Sequence, residues 1–207
     1  MTDDRGAAPA PAVADSERRR TLVRIAYRHI ATRGFEGLRV RAVAHEAGIN
    51  HATLLHHYPT KEALIGGVVE YLLHEFSVTP IPRPHEGEAT PAEEVRLQFE
   101  DMRWRLRERP EIFVVLIELL ARSLRDPAIA AALRGLDTAW LGYLVGLLRR
   151  GVAMGAFRAD LDPYVVATAL MAQIKGLGMQ AIGQADTAQL DALVTQLAAQ
   201  VERWLVG

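Results

Sequence analysis

The stretch Val40–Lys61, VRAVAHEAGINHATLLHHYPTK, reads as two short helices joined by a tight turn, and the rest of the chain is read outward from it. In the first helix Val40, Val43, Ala44 and Ala47 fall at i, i+3, i+4 and i+7, one apolar stripe with small residues where a second helix must come close. Gly48 ends that helix, because a glycine takes the left-handed conformation past a helix end at no steric cost. Ile49 returns to the core, and Asn50 is suited to cap the next helix, expected over 50–57. Leu54 is its expected buried anchor. His51, Ala52, Thr53, Leu55 and His56 are left near its N-terminal and outer surface, and small or hydrogen-bonding side chains on a helix too polar to be buried suit reading of a DNA major groove.

Upstream, a helix is expected from Ser16, whose hydroxyl can cap it, to Arg33 before Gly34, with Leu22, Ile25, Ala26, His29 and Ile30 on its buried face. Arg18, Arg19 and Arg20 cluster at its start, where cations oppose the helix dipole unless an anion approaches. They are read either as phosphate contacts or as a solvated face. Downstream, Leu64, Ile65, Val68, Leu72 and Phe76 mark a helix after Pro59, with Thr60 as its cap. Between Ser77 and Pro91, Pro80, Pro82 and Pro84 exclude a helix, and the domain boundary is expected in this connection.

Beyond it no strand signal appears, and five helices are expected. Residues 92–108 are amphipathic, and 111–124 are apolar on nearly all sides apart from Glu118, the pattern of a buried helix. Asp126 with Pro127, and Asp162 with Pro163, are cap-and-proline starts for helices reaching about Gly155 and Gly183. The last, over 187–206, places Leu190, Leu193, Val194, Leu197, Val201, Trp204 and Leu205 on one stripe.

Composition narrows the class. The chain has 207 residues, 50% hydrophobic and 24% charged, enough for one sizeable core or two smaller ones. It lacks cysteine, which excludes disulfides and thiolate metal sites. No run approaches the roughly 20 apolar residues of a membrane span, and the opening MTDDRGAAPAPAVAD lacks the apolar core of a signal peptide, so a disordered tail on a cytoplasmic protein without membrane contact is expected. The net charge of −1 hides a division, since residues 16–76 carry nine Arg or Lys against six Asp or Glu. The basic part is the part with the turn.

The turn, the HHYPTKE that follows it and the surrounding helical chain resemble the TetR family of transcriptional repressors. The resemblance rests on Ile49, Asn50, Ala52, Thr53, Leu54, Leu55, His56, His57, Tyr58, Pro59, Thr60, Lys61 and Glu62, and covers about the first third of the chain. Leu55 stands where the family usually has a phosphate-contacting tyrosine, and Leu38 with Arg39 where it usually has capping threonines. The resemblance implies an all-α protein with a three-helix helix-turn-helix domain and a C-terminal bundle for ligand binding and dimerisation. The expected division is a tail over 1–15, the DNA-binding domain over 16–60, a connecting helix over 61–76 and the effector and dimer domain over 77–207.

Candidate sites follow from both readings. Contacts to a double-stranded DNA operator are expected from Arg39, Asn50, His51, Ala52, Thr53, Leu55, His56, Tyr58 and Lys61. Phe76, Phe99, Met102, Phe113, Trp140, Tyr143, Leu147 and Met171, with the isolated polar Glu118 and Gln173, have the composition of a pocket for a small effector, or of a filled core. Leu170, Leu177, Leu193, Leu197, Val201 and Trp204 are expected at a homodimer interface, since one short reading helix covers few base pairs, or else they cover their own core. No catalytic residue, cofactor or metal is expected. Gly-rich phosphate loops, Gly-x-Ser-x-Gly and His-Glu-x-x-His are absent, and His51 does not share a helix face with His56 or His57. The expected function is a ligand-responsive repressor, and the alternative is a small helical carrier or enzyme with a vestigial DNA-binding domain.

Overall fold

The computed structural model describes residues 11–78, 89–182 and 187–206. All its regular elements among these residues are helices, in the order α1 (Pro11–Gly37), α2 (Val40–Glu46), α3 (His51–His57), α4 (Lys61–Ser77), α5 (Pro91–Glu108), α6 (Glu111–Ser123), α7 (Pro127–Ala153), α8 (Pro163–Gln180) and α9 (Thr187–Val206). The chain divides into two compact units, Met1–Leu72 and Leu73–Gly207.

In the N-terminal unit α1 buries Leu22, Ile25, Ala26, His29 and Ile30, the face expected from its spacing, together with Val23 and Tyr27. Two features differ from expectation. The helix starts at Pro11 rather than at Ser16, since proline is tolerated in a first turn, and so takes in part of the expected tail. It breaks at Gly34, where φ is 65°, and that lets Phe35 and Leu38 turn back into the core. Val43 and Ala44 seat α2, and Leu64, Ile65, Val68, Val69 and Leu72 seat α4.

In the C-terminal unit caps define the helix starts. Thr90 and Glu93 form a reciprocal capping box at α5, and the Asp126 and Asp162 side chains accept from backbone N–H groups of α7 and α8, each with proline next in line. α7 packs on α8, and α5 packs on α7 and α9. Arg158 N–H donates to Leu205 O at 2.9 Å, so the α7–α8 connection is tied to the end of α9. The expectation that α6 is buried all round is corrected. Ile112, Phe113, Val115 and Leu119 face the core, but Leu120 is 44% exposed and Leu124 83%, because α7 and α8 cover one side of the helix.

The two compact units part at Leu72 and Leu73 inside α4, whose last residues Glu75 and Phe76, with Val78 beyond them, are bonded or packed against α5 and α6. Pro80, Pro82, Pro84 and Gly183 lie outside the described residues.

Candidate nucleic-acid interface

The turn between α2 and α3 is closed by a Schellman motif. Gly48, at φ 66°, donates to His45 O at 3.0 Å, and Ile49 N–H donates to Ala44 O at 3.0 Å. A side chain at Gly48 would be strained by that φ rather than by crowding, since nothing lies within 4 Å of a Cβ placed there. Asn50 Oδ1 then accepts from Thr53 N–H at 2.8 Å and from the Thr53 hydroxyl at 3.0 Å. That bond caps a seven-residue helix too short to persist alone. Leu54, 0% exposed, is its single buried residue.

Of the nine residues expected to contact DNA, Arg39, Asn50, His51, Ala52 and His56 are exposed, while Thr53, Leu55 and Lys61 are partly so. Asn50 spends its side-chain oxygen on the cap of α3. Lys61 Nζ donates to Phe35 O at 3.3 Å, so one of its three donors is engaged inside the unit. Tyr58 differs from these in its exposure. It is 6% exposed, with Arg19 4.7 Å from its ring centroid, and burial raises its hydroxyl pKa. Its ring packs between α1 and α4, where a Cβ on Gly67 would lie 3.1 Å from its hydroxyl. The side chain therefore props the C-terminus of α3 instead of reaching outward.

Arg19 donates to His57 O at 3.1 Å besides lying over Tyr58, so of the three clustered arginines this one is used within the unit. His57 Nδ1 lies 2.9 Å from Asp15 Oδ1, a second tie from α1 to the end of α3. A cavity of about 310 Å³ opens here, bordered by Arg19, His56, Tyr58, Gly66 and Glu70 among others, and none of the ten residues expected to form an effector site borders it.

On α2, Glu46 accepts from His29 Nε2 at 2.8 Å with one carboxylate oxygen and from Arg28 at 2.8 Å with the other. The His29 hydrogen bond holds the Glu46 carboxyl below its usual value, with Arg28 and the charge on His29 acting the same way. This clamp joins α1 to α2 and was not foreseen, because nothing in the local sequence pairs residues 17 positions apart. Its only trace is a histidine on an otherwise apolar stripe.

In the C-terminal unit the residues expected around an effector are dispersed among α4 to α8. Phe99, Met102, Phe113, Leu147 and Met171 are buried, while Phe76, Glu118, Trp140, Tyr143 and Gln173 are partly exposed. Trp140 Nε1 donates to Gln98 Oε1 at 3.2 Å, and the Tyr143 hydroxyl donates to Glu94 at 3.0 Å, where Arg150 also binds. Gln173 Oε1 is buried with no hydrogen-bond partner. Of the six expected interface residues, Leu170, Leu177 and Val201 are buried by this chain's own helices, at 1%, 2% and 1% exposure, so they are core residues rather than free surface. Leu193, Leu197 and Trp204 are partly exposed on α9.

Among the described residues no group of three or more His, Asp or Glu side chains is placed to hold a metal ion, and no helix is long and apolar enough to cross a membrane.

Residues 22–68 match the model of bacterial regulatory proteins of the tetR family, and residues 91–206 match that of the C-terminal domain of BetI-type transcriptional repressors. A curated relative, the HTH-type transcriptional regulator CymR of Pseudomonas putida, is 23% identical over 178 residues, covering 80% of this chain and 79% of its own length. A TetR transcription regulator of Haloarcula marismortui shares the fold at TM-score 0.80 and 24% identity, over 93% of this chain and 100% of the other. A putative transcriptional regulator of Saccharomonospora viridis, solved in complex with choline, superposes with TM-score 0.79 at 25% identity, over 93% and 99% of the two chains. With both units matched by family models, and with the capped turn and its exposed short helix in place, the chain belongs to the TetR family of regulatory proteins.

Proposed function

We propose that this protein is a ligand-responsive repressor that binds a palindromic operator as a homodimer and leaves it on binding a small, largely apolar effector. The observation that carries the reading is α3, a capped helix with one buried residue that leaves His51, Ala52 and His56 exposed. Arg39 and Lys61 flank it as cations for the phosphate backbone. A dimer supplies the second reading helix. For its interface, Val165 and Met179 on α8, 56% and 61% exposed, join Leu193, Leu197 and Trp204 on α9 as apolar surface that a second copy would cover. The choline bound by the Saccharomonospora viridis regulator supports a small organic effector for a chain of this fold.

Operator selection from random DNA, followed by gel-shift titration, tests this. His51→Ala should cost roughly 1 to 3 kcal/mol on the selected sequence and little on random DNA, whereas Arg39→Ala should weaken both and reduce the slope of log affinity against log salt by about 0.9. Sequence-indifferent binding by the wild-type protein would favour a ligand carrier instead.

A further inference from the structure

The cavity of about 310 Å³ at the end of α3 is built wholly from the N-terminal unit, since its bordering residues run from Arg19 to Glu70 and that unit reaches Leu72. Its volume stands at the small end of the range for ligand pockets, which suits a metabolite better than a peptide. One wall is the face of α4 that carries Ala63, Gly66, Gly67 and Glu70, spaced at i, i+3, i+4 and i+7. The two glycines serve that wall differently. A Cβ on Gly67 would meet Val23 at 2.8 Å and the Tyr58 hydroxyl at 3.1 Å, so packing within the unit needs this residue bare. A Cβ on Gly66 would meet nothing within 4 Å, so there the helix faces open space.

The remaining borders supply polar groups. His57 is committed to the fold, because its backbone oxygen accepts from Arg19 at 3.1 Å and its Nδ1 lies 2.9 Å from Asp15. Arg19 is not exhausted by that bond, since a guanidinium carries five N–H donors and this side chain is exposed. Glu70 is also exposed, and it forms no ion pair among the described residues. Burial keeps the Tyr58 hydroxyl protonated, so it adds a neutral hydrogen-bonding group.

These groups discriminate by charge. A phosphate or a simple carboxylate would gain Arg19 but meet Glu70, and a simple cation would gain Glu70 but meet Arg19. A molecule that carries both charges satisfies both borders. We propose that the cavity binds a small zwitterion of the α-amino acid class, with its carboxylate on Arg19, its ammonium on Glu70 and its side chain over Gly66. The site is separate from the residues expected to hold an effector in the C-terminal unit. Its occupant would lie against Arg19 and Tyr58, which fix the end of α3. Binding is measured without DNA, so the inference stands or falls apart from the repressor reading.

The test is amide NMR of the full chain, titrated with the standard amino acids and, for any that binds, with the amine and the carboxylic acid that keep its side chain and only one of its charges. At least one amino acid should shift the amides around residues 57–59 and 66–70, and each single-charge analogue should bind about tenfold more weakly or worse. Glu70→Gln should weaken the amino acid by a similar factor and leave the carboxylic acid unaffected or tighter, because the opposing charge is gone. Gly66→Leu, which fills the space without meeting a neighbour, should abolish binding while the remaining amide signals stay in place. If that variant fails to fold, Glu70→Gln and the analogues decide. Shifts in none of the amino acid titrations overturn the proposal, as does binding that survives both substitutions. A carboxylic acid that binds wild type as tightly as its amino acid would make this a simple anion site and overturn the zwitterion. Loss of operator affinity in Gly66→Leu, with no amino acid bound by wild type, would instead assign the cavity to the DNA surface.

Discussion

The two units solve the problem of holding a helix in different ways. In the C-terminal unit the helices run from 13 to 27 residues and present several buried side chains each, and α5, α7 and α8 start from side-chain caps. Their positions are over-determined, and exposed ion pairs such as Arg96–Glu202 and Lys175–Asp137 add little. In the N-terminal unit α2 and α3 have seven residues apiece and bury two side chains and one. Helices that short are held by specific contacts: the Asn50 cap, the Schellman turn, the clamp of Glu46 on His29 and Arg28, and Tyr58 with Arg19 under the end of α3. In the role proposed for it α3 must keep its outward side chains free, so its placement falls to a few inward ones.

The largest effect expected from this contrast comes from matched truncations in the two units. Leu54 and Leu144 are both 0% exposed, and Leu→Ala at either should cost about 2 to 5 kcal/mol in chemical denaturation. At a temperature where both variants remain folded, Leu54→Ala should lose selective operator binding, because Leu54 is the one buried side chain of α3, while Leu144→Ala should retain it. Equal DNA binding by the two would mean that the reading helix is secured by more than its single leucine.

A smaller effect separates the caps. Asn50→Ala and Asp162→Ala each remove a side-chain acceptor from a helix start and should each lower stability by about 1 kcal/mol. The Asn50 variant should in addition show weakened operator binding and faster amide exchange across residues 51–57. Exchange that stays at the wild-type rate in α3 would show that the turn alone positions the helix.

The smallest expected effect is on acid stability. Since the folded-state pKa of Glu46 is lowered by its bond to His29, the clamp stabilises the protein above the ordinary carboxyl value of 4.5 and is lost as pH falls through the lowered one. Glu46→Gln should therefore flatten the loss of stability below about pH 4.5 relative to wild type while changing little at the lowest pH. The C-terminal unit offers a control in Glu93, whose carboxyl is lowered by the Thr90 backbone N–H and hydroxyl. Identical acid profiles for wild type and Glu46→Gln would remove the clamp from the account of how α2 is held.

Much of the N-terminal unit is legible in the sequence. Gly48, Asn50 and Leu54 act through rules spanning four or five residues, and such rules survive any tertiary context, so the turn, the cap and the anchor stand where the spacing put them. The caps at Asp126 and Asp162 are legible for the same reason. The stripe on α9 was only half legible. Periodicity locates its apolar face, yet that face is wide enough to serve two partners, and packing gives Val194 and Val201 to this chain's core while Leu193, Leu197 and Trp204 stay partly open.

What the sequence by itself determined is therefore the set of helices, the caps at Asn50, Asp126 and Asp162 and the exposed face of α3, all consequences of local backbone and side-chain chemistry. What only the tertiary structure decided is which distant groups meet. Glu46 meets His29, Tyr58 turns inward under Arg19, the side of α6 bearing Leu120 is left bare, and Arg105 reaches the last carbonyls of α4. Those pairings depend on how whole helices cross, and a crossing is set by the summed packing of many side chains, which no short stretch of sequence encodes.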